Sequence, residues 1–494
     1  MANAVETEHV DGDAGTAAAV PSARLAAQIA HRIEETVIAG GWPVGTSLGS
    51  EVELRERFGV SRSVLREAVR LVEHHQVARM RRGPNGGLFV SAPDAGPATR
   101  ATVIYLEYVG TSVADLLEAR LLLEPIAAGL AGEQITEEGI ALLRGTLDNE
   151  AACQGDRGVS AQDPLHPLLG ELSGNPVLRL FIDVLTRLTA RYAHTSRQVS
   201  KAEVAESKRV SHEAHMSIVD AVIASDAAIA QMALIAHLEA IAAWIEAHRV
   251  RHRTRIPGPV VEPEIVEGPQ AKLAEVLASR IHDDIVARGW QVGMVLGSES
   301  DLLARYGISR SVLREAVRLL EYHSVARMRR GPGGGLVIAT PEPQASIDTM
   351  ALFLEYQGVT TDNLRVVRNA IELGVVVRAT ARHAQGDTGI AERLRATTQL
   401  TADGPEDYVH KADSFHTELA DSAGNPVLSL FLAIITELFR RHTAEYSRPA
   451  PGETAAAEVR HAHERILDAV LAGDSGLARH RMRRHLDALA PWWA

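Results

Sequence analysis

Along most of the chain apolar positions recur every three or four residues, the period of helices that bury one face. LAAQIAHRIEETVIAG (25–40) predicts an amphipathic helix, and LAEVLASRIHDDIVARG (273–289) predicts a second of the same kind. In SEVELRERFGVSRSVLREAVRLVE, Ser50 and Glu53 have the spacing of a capping box that starts a short helix. Phe58-Gly59-Val60 breaks that helix, and Ser61 caps a longer one. Two helices joined by a tight glycine-bearing turn predict a helix-turn-helix. VARMRRGPNGGLFV then sets a Gly/Pro turn between two short alternating runs, the pattern of a β-hairpin wing. The following 150 or so residues keep helical periods with few β-branched runs and predict an all-α bundle.

Sliding the chain by 248 positions aligns Trp42 with Trp290 and Gly83 with Gly331, and 24 of the 30 residues from Ser61 to Val90 then match. Further on, ELSGNPVLRLF (171–181) answers DSAGNPVLSLF (421–431) with two residues inserted between, so the whole unit is duplicated. The predicted fold is mainly α: a tail at 1–20, winged helix-turn-helix domains at 21–95 and 269–342, and helical bundles at 96–252 and 343–494. The linker at 253–268 lies in RIPGPVVEPEIVEGPQ, where prolines forbid an interior helix and imply a semi-stiff spacer.

Composition narrows the class. At 46% hydrophobic, 23% charged and 4% aromatic the chain reads as globular, and arginine supplies nearly all its positive charge. The single Cys153 excludes an internal disulfide framework and a cysteine zinc finger, which fits a reducing, cytoplasmic setting. No apolar run is expected to span a bilayer, and the acidic start lacks the flanks of a signal peptide. A net charge of −12 argues against nucleic acid only if charge is spread evenly. It is not: from Ser61 to Val90, Arg62, Arg66, Arg70, Arg79, Arg81 and Arg82 face only Glu67 and Glu73.

In a helix-turn-helix the second helix enters the major groove with its first residues on base edges. Ser61, Arg62, Ser63 and Arg66, and in the second copy Ser309, Arg310, Ser311 and Arg314, occupy those leading turns. Arginine can donate twice to guanine, while serine hydroxyls and the helix N-terminus suit phosphate. On the wings, Arg81, Arg82 and Gly83, repeated as Arg329, Arg330 and Gly331, allow close approach to the DNA backbone or minor groove. The expected partner is a double-stranded operator.

These motifs, in this order and twice over, resemble the GntR family of bacterial transcription regulators in its FadR-like branch, whose winged helix-turn-helix precedes an all-helical effector domain called FCD. LGSEVELRERFGVSRSVLREAVRLVE and its second copy match the family's DNA-binding signature throughout. One position, often a DNA-contacting arginine in the family, is Val52 here and Ser300 in the repeat, which implies a different operator preference.

Histidine spacing suggests metal sites. His215 and His237 are 22 residues apart, as are His463 and His485, with a turn signal midway at Ser225-Asp226 and Gly473-Asp474. If each half is helical, the two imidazoles face one another at one height on antiparallel helices. Asp163 with His166, and Asp413 with His416, stand three apart on one helix face and complete each set. Three His and one Asp suit zinc first, with nickel, iron(II) or manganese as alternatives, and leave open positions. The resemblance implies a divalent metal here as well, although the family's spacing is D-x-x-F-H and both copies carry aspartate one residue nearer. Because Pro164 follows Asp163, that aspartate can instead serve as a helix cap, and the second set is the cleaner of the two.

Arg120 with Glu124 aligns with Arg368 and Glu372. Either these are ion pairs on a helix surface, or the arginines face the cavity and clamp a small carboxylate effector. Asn175 and Asn425 read as turn formers at helix ends. The combined expectation is a ligand-responsive, repressor-type regulator, not an enzyme, in which one chain acts as an intramolecular pseudo-dimer on an imperfect palindrome and a further homodimer stays open. A metal-dependent enzyme of organic acids and an architectural DNA- or partner-binding protein with one degenerate half are the alternatives.

Overall fold

The computed structural model describes residues 22–83, 86–153, 163–193, 200–247, 269–331, 333–398, 405–445 and 453–493. The expected tail (1–20) and linker (253–268) lie outside the described residues. Twenty helices and six short strands make up the described chain, which divides into two compact units, one ending at Pro93 and the other running from Asp94 to Ala494.

The first unit is a winged helix-turn-helix domain, the first reader of the expected pair, built from α1 (Ser22–Ala39), β1 (Ser47–Gly49), α2 (Glu51–Phe58), α3 (Arg62–His74), β2 (Ala78–Arg81) and β3 (Gly87–Val90). Ser50 and Glu53 form the capping box of α2, and Gly59 ends that helix at φ +63°, a left-handed position that suits glycine. Ser61 caps α3 by accepting from the Val64 amide at 3.3 Å. Ile29, Ile33 and Val37 of α1 and Leu65, Ala68 and Val72 of α3 form the buried side. The wing is a three-stranded antiparallel sheet, ordered β1-β3-β2, where the sequence predicted only two strands. The extra strand, Ser-Leu-Gly, is too short to display an alternating pattern. It also explains Gly87, where a Cβ would fall 2.7 Å from the Gly49 carbonyl oxygen.

The second unit opens with the first bundle: α4 (Ala95–Tyr108), α5 (Val113–Glu133), α6 (Glu137–Cys153), α7 (Leu165–Leu172), α8 (Pro176–Ala193), α9 (Lys201–Ile223) and α10 (Ala227–Ala247). A second reader follows, with α11 (Pro269–Ala287), β4 (Val295–Gly297), α12 (Glu299–Tyr306), α13 (Arg310–Tyr322), β5 (Ala326–Arg329) and β6 (Gly335–Ile338), its sheet ordered β4-β6-β5. The second bundle comprises α14 (Pro343–Tyr356), α15 (Thr361–Ala384), α16 (Gly389–Thr398), α17 (Pro405–Ala423), α18 (Pro426–Glu445), α19 (Glu453–Leu471) and α20 (Ser475–Trp493). One expectation needs correction: α10 is long and apolar enough, by length and composition, to cross a membrane. Its Ala230, Leu234, His237 and Leu238 are buried in the bundle, while Ile229, Met232 and Ile235 are exposed.

The two bundles share one core. Leu116, Leu123 and Leu185 of the first half and Ile371, Val375 and Ile435 of the second belong to a single buried cluster. At its centre the rings of Phe181 and Phe431 stack with centroids 3.8 Å apart. Burial of each ring is worth roughly 1.5–3 kcal/mol. Asn175 and Asn425 do more than shape turns. Each Oδ1 accepts two amides at the start of the next helix, and each Nδ2 crosses to the other half, Asn175 to the Asn363 carbonyl and Asn425 to the Asp115 carbonyl, both at 3.1 Å. Asp115 and Asn363 are themselves equivalent positions, so the bonds obey an approximate two-fold axis.

Other contacts break that symmetry. Arg378 pairs with Asp115 at 3.1 Å and also with Glu118, whereas its counterpart in the first half is Leu130, and Glu118 is answered by Val366. Leu122 approaches Gly374 so closely that a Cβ there would lie 2.5 Å from Leu122 Cδ1. The counterparts of these two residues are Ala370 and Ile126. Finally, α4 of the first bundle packs on the second reader: Ile104 joins the reader's buried cluster, Tyr108 meets the Trp290 ring at 5.3 Å, and Glu107 lies 3.6 Å from His282.

Candidate metal centres and nucleic-acid interface

Helices α7, α9 and α10 bring His166, His215 and His237 to one buried point, and Asp163 reaches it from the residue pair ahead of α7. The antiparallel pairing of α9 and α10 follows from the turn at Ser225, which takes φ +55°, and from Asp226, whose side chain accepts from the Ile229 amide at 3.0 Å. His215 Nε2 and His237 Nε2 stand 3.0 Å apart. His166 Nε2 is buried and makes no hydrogen bond, and Asp163 Oδ2 lies 3.3 Å from it and 3.2 Å from His215 Nε2. Asp163 Oδ1 also accepts from the Leu165 amide at 3.1 Å, although Pro164, not Asp163, holds the N-cap position of α7, so one oxygen faces the histidines and the other holds the helix start.

In the second bundle the Nε2 atoms of His416, His463 and His485 form a triangle with sides of 3.1, 3.2 and 3.3 Å. Such a set fits a small dication, since metal–nitrogen bonds of 2.0–2.1 Å at tetrahedral angles put ligand atoms about 3.3 Å apart. Asp413 departs from expectation. It lies outside the group of converging ligand atoms and faces Arg368 Nη2 at 3.9 Å. Asp413 sits inside α17, where the helix fixes its direction, whereas Asp163 precedes its helix and can turn both oxygens to use. The first set therefore has four donors and the second three, the reverse of the ranking that Pro164 suggested.

The sequence missed what stands behind the ligands. Arg120 and Arg368 are not on the surface: both are buried and donate Nε to Glu124 at 2.5 Å and to Glu372 at 2.6 Å. The other oxygen of Glu124 meets His166 Nδ1 at 2.6 Å, and that of Glu372 meets His416 Nδ1. Burial pushes the Glu124 carboxyl up, but Arg120 and His166 outweigh it and hold it at about 2. Glu372 is likewise held at about 2, by His416 and Arg368 against burial. A fixed carboxylate on Nδ1 selects the tautomer that leaves the Nε2 lone pair facing the site. Glu150 of α6 does the same for His215, at 2.9 Å, while also meeting His212. In the second bundle His463 instead lies flat on Phe415, with centroids 4.2 Å apart. Burial, with nearby positive imidazoles, pushes His237 and His485 down to about 3, as neutral ligands require. Only the i, i+4 spacing of Arg and Glu hinted at this arrangement, and that spacing is equally common on solvated helices.

In the readers the leading turns of α3 and α13 are open to solvent. Arg62 and Arg66 side chains are exposed and, among the described residues, their ion-pair partner is Glu51, at 2.6 and 3.7 Å, and Arg310 stands 4.0 Å from Glu299. Arg314 is exposed as well. Ser61 and Ser63 bond to each other at 3.0 Å, as Ser309 and Ser311 do at 2.9 Å. On the wings Arg82 and Arg330 are exposed, while Arg81 lies over the Phe89 ring at 4.4 Å and Arg329 donates to the Gly333 carbonyl at 2.8 Å. Gly83 and Gly331 take φ +119° and +97°, which suits glycine alone.

The model for bacterial regulatory proteins of the gntR family matches residues 25–90 and 273–335, and that for the FCD domain matches 115–240 and 363–488. The chain belongs to the GntR family, in its FCD-bearing form, with both domains present twice. Relatives include a Uxu operon regulator of Haemophilus influenzae, 28% identical over 44% of this chain and 80% of its own length. A putative L-lactate dehydrogenase operon regulatory protein of Escherichia coli is 26% identical over 44% of this chain and 84% of its length. The transcriptional repressor NanR of an Enterobacter species is 26% identical over 44% and 85%. Each relative thus corresponds to less than half of this GntR chain and to most of itself, as a duplication requires. The family and these relatives are DNA-binding transcription regulators rather than enzymes.

Proposed function

We propose that this chain is an effector-responsive repressor that works as a single-chain pseudo-dimer, both of its readers engaging one imperfect palindrome in the cytoplasm. The observation that carries the reading is the shared core of the two bundles, with Asn175 and Asn425 bonded reciprocally across it. Family regulators pair two chains to read two half-sites, and here one polypeptide supplies both partners. The pairing is also one-way. A first half facing its own copy would set Leu122 against Ile126 and leave Asp115 and Glu118 opposite Leu130, while a second half facing its own copy would leave Arg378 without a carboxylate.

Each bundle would hold a divalent metal, zinc as first choice, through Asp163, His166, His215 and His237 in one half and His416, His463 and His485 in the other. Bound there, the metal supplies a Lewis-acidic position for a carboxylate oxygen. The effector is a small carboxylate, with Arg120 or Arg368 turning remaining guanidinium N–H groups to it. Movement of α5, which carries Arg120 and Glu124, would pass to α4 and so to the second reader through Ile104, Tyr108 and Glu107. Such effector–operator coupling is typically worth about 1–3 kcal/mol. The mass of the complex on a minimal operator tests the assembly: one chain per palindrome is expected, and two would overturn the pseudo-dimer. A thermal-shift screen of small carboxylates with and without metal tests the effector class.

A further inference from the structure

On the outer side of the second bundle, α19 and α20 enclose a groove of about 470 Å³ lined by Arg465, Arg481, Arg484 and His480, with Glu458 as the one carboxylate of the lining. Among the described residues no carboxylate pairs with Arg465, Arg481 or Arg484. Arg481 Nη1 donates to the Arg465 carbonyl, which fixes the guanidinium over the groove, and its Nε is buried without an acceptor. The volume is that of a small-metabolite site. Three permanent cations gathered around a single carboxylate repel one another.

The first bundle demonstrates that the helix pair does not need them. With the ligand histidines in register, the positions of Arg465, Arg481 and Arg484 are taken there by Ser217, Ala233 and Ala236, and that of His480 by Met232, which is 70% exposed. The cations are a property of one copy only, added to a scaffold that packs without them. Their planar, forked donors match carboxylate and phosphate oxygens.

We infer that the α19–α20 groove of the second bundle is an anion site, adjoining the metal cavity but formed by its own arginines, that binds a small metabolite bearing carboxylate or phosphate groups. His485 lies in the lining and in the metal set alike, so an anion seated there would press on the helix that holds a metal ligand and give the second bundle an input that the first lacks.

The test is calorimetric titration of the metal-loaded full chain with succinate, glycerol 3-phosphate and inorganic phosphate, repeated on the triple variant Arg465→Ser, Arg481→Ala, Arg484→Ala. That variant carries the residues the first bundle uses at the same places, so it is expected to fold and to keep its metal content. Beyond carboxylate binding at the metal cavities, which the triple variant keeps, one further saturable site per chain is expected, weakened at least tenfold in the variant and retained in His463→Ala, and the arm in which it appears distinguishes carboxylate from phosphate. Titrations that the triple replacement leaves unchanged in all three arms would overturn the site. So would a variant whose only change is weaker operator binding, which would assign the arginines to the DNA backbone.

Discussion

His166 Nδ1 lies 2.6 Å from a carboxylate oxygen of Glu124, inside a bundle where both side chains are almost wholly buried. The carboxylate fixes the ring with Nε2 towards the other histidines, as a metal ligand would require, and its own charge is balanced by Arg120. Glu124→Gln, and Glu372→Gln in the second bundle, should each weaken metal binding at their own site by about 10–100-fold. Competition with a chromophoric chelator measures it, and unchanged affinity would remove the orienting role.

The two sites should differ in their need for aspartate. Asp163→Asn is expected to weaken the first site, where Oδ2 stands within 3.3 Å of two ligand nitrogens, whereas Asp413→Asn should leave the second nearly unchanged. Cobalt substitution reads this directly, because loss of an oxygen ligand alters the visible spectrum. Equal responses at both sites would mean that Asp413 turns inward once metal is bound.

Replacing Arg378 by Ala leaves Asp115 and Glu118 without their cation at a partly buried interface, and Gly374→Val drives a side chain into Leu122. Each should destabilise the chain by about 1–3 kcal/mol. Denaturant unfolding measures the loss, and the counterpart change Leu130→Ala, which removes no charge partner, gives a control for simple trimming of the interface.

Arg66→Ala and Arg314→Ala should each cost about 1–3 kcal/mol of operator binding, with relaxed preference at one base pair of the corresponding half-site. Arg82→Ala should act differently, weakening all sequences alike and lowering the salt slope by about one. If Arg66→Ala alone weakened binding, the second reader would not share the operator.

In the second reader, burial together with the Asp284 carboxylate pushes the Tyr306 phenol up to about 12, and Tyr306 donates to Asp284 at 2.6 Å. Because the folded form holds the proton more tightly, this contribution is complete below pH about 10 and is lost as pH rises through about 12. Tyr306→Phe, which copies Phe58 of the first reader, should flatten the decline of stability between those values in thermal melts.

The readers were legible almost residue by residue, because caps, turns and recognition-helix cations act within one or two turns of chain. Ser50, Glu53, Gly59 and Ser61 announce their roles through spacing alone. The histidine pairs were legible for the same reason, since a 22-residue hairpin of two helices fixes which positions face each other. Glu150 and Phe415 were not: the first reaches His215 from a helix 65 residues away, and the second stacks on a histidine of a different helix.

By itself, then, the sequence determined two copies of a winged helix-turn-helix and a helical bundle, the four residues that open α3 and α13, and the histidines that converge in each bundle. Only the tertiary structure decided that the bundles share one core, that Asp163 faces its histidines while Asp413 turns to an arginine, and that Arg120 and Arg368 stand behind ligands instead of on a surface. The physical reason is range. Helix period, caps and turns are local and are written in neighbouring residues, whereas the burial of Arg120, the partner of Asp413 and the meeting of Phe181 with Phe431 depend on helices brought together from distant parts of the chain.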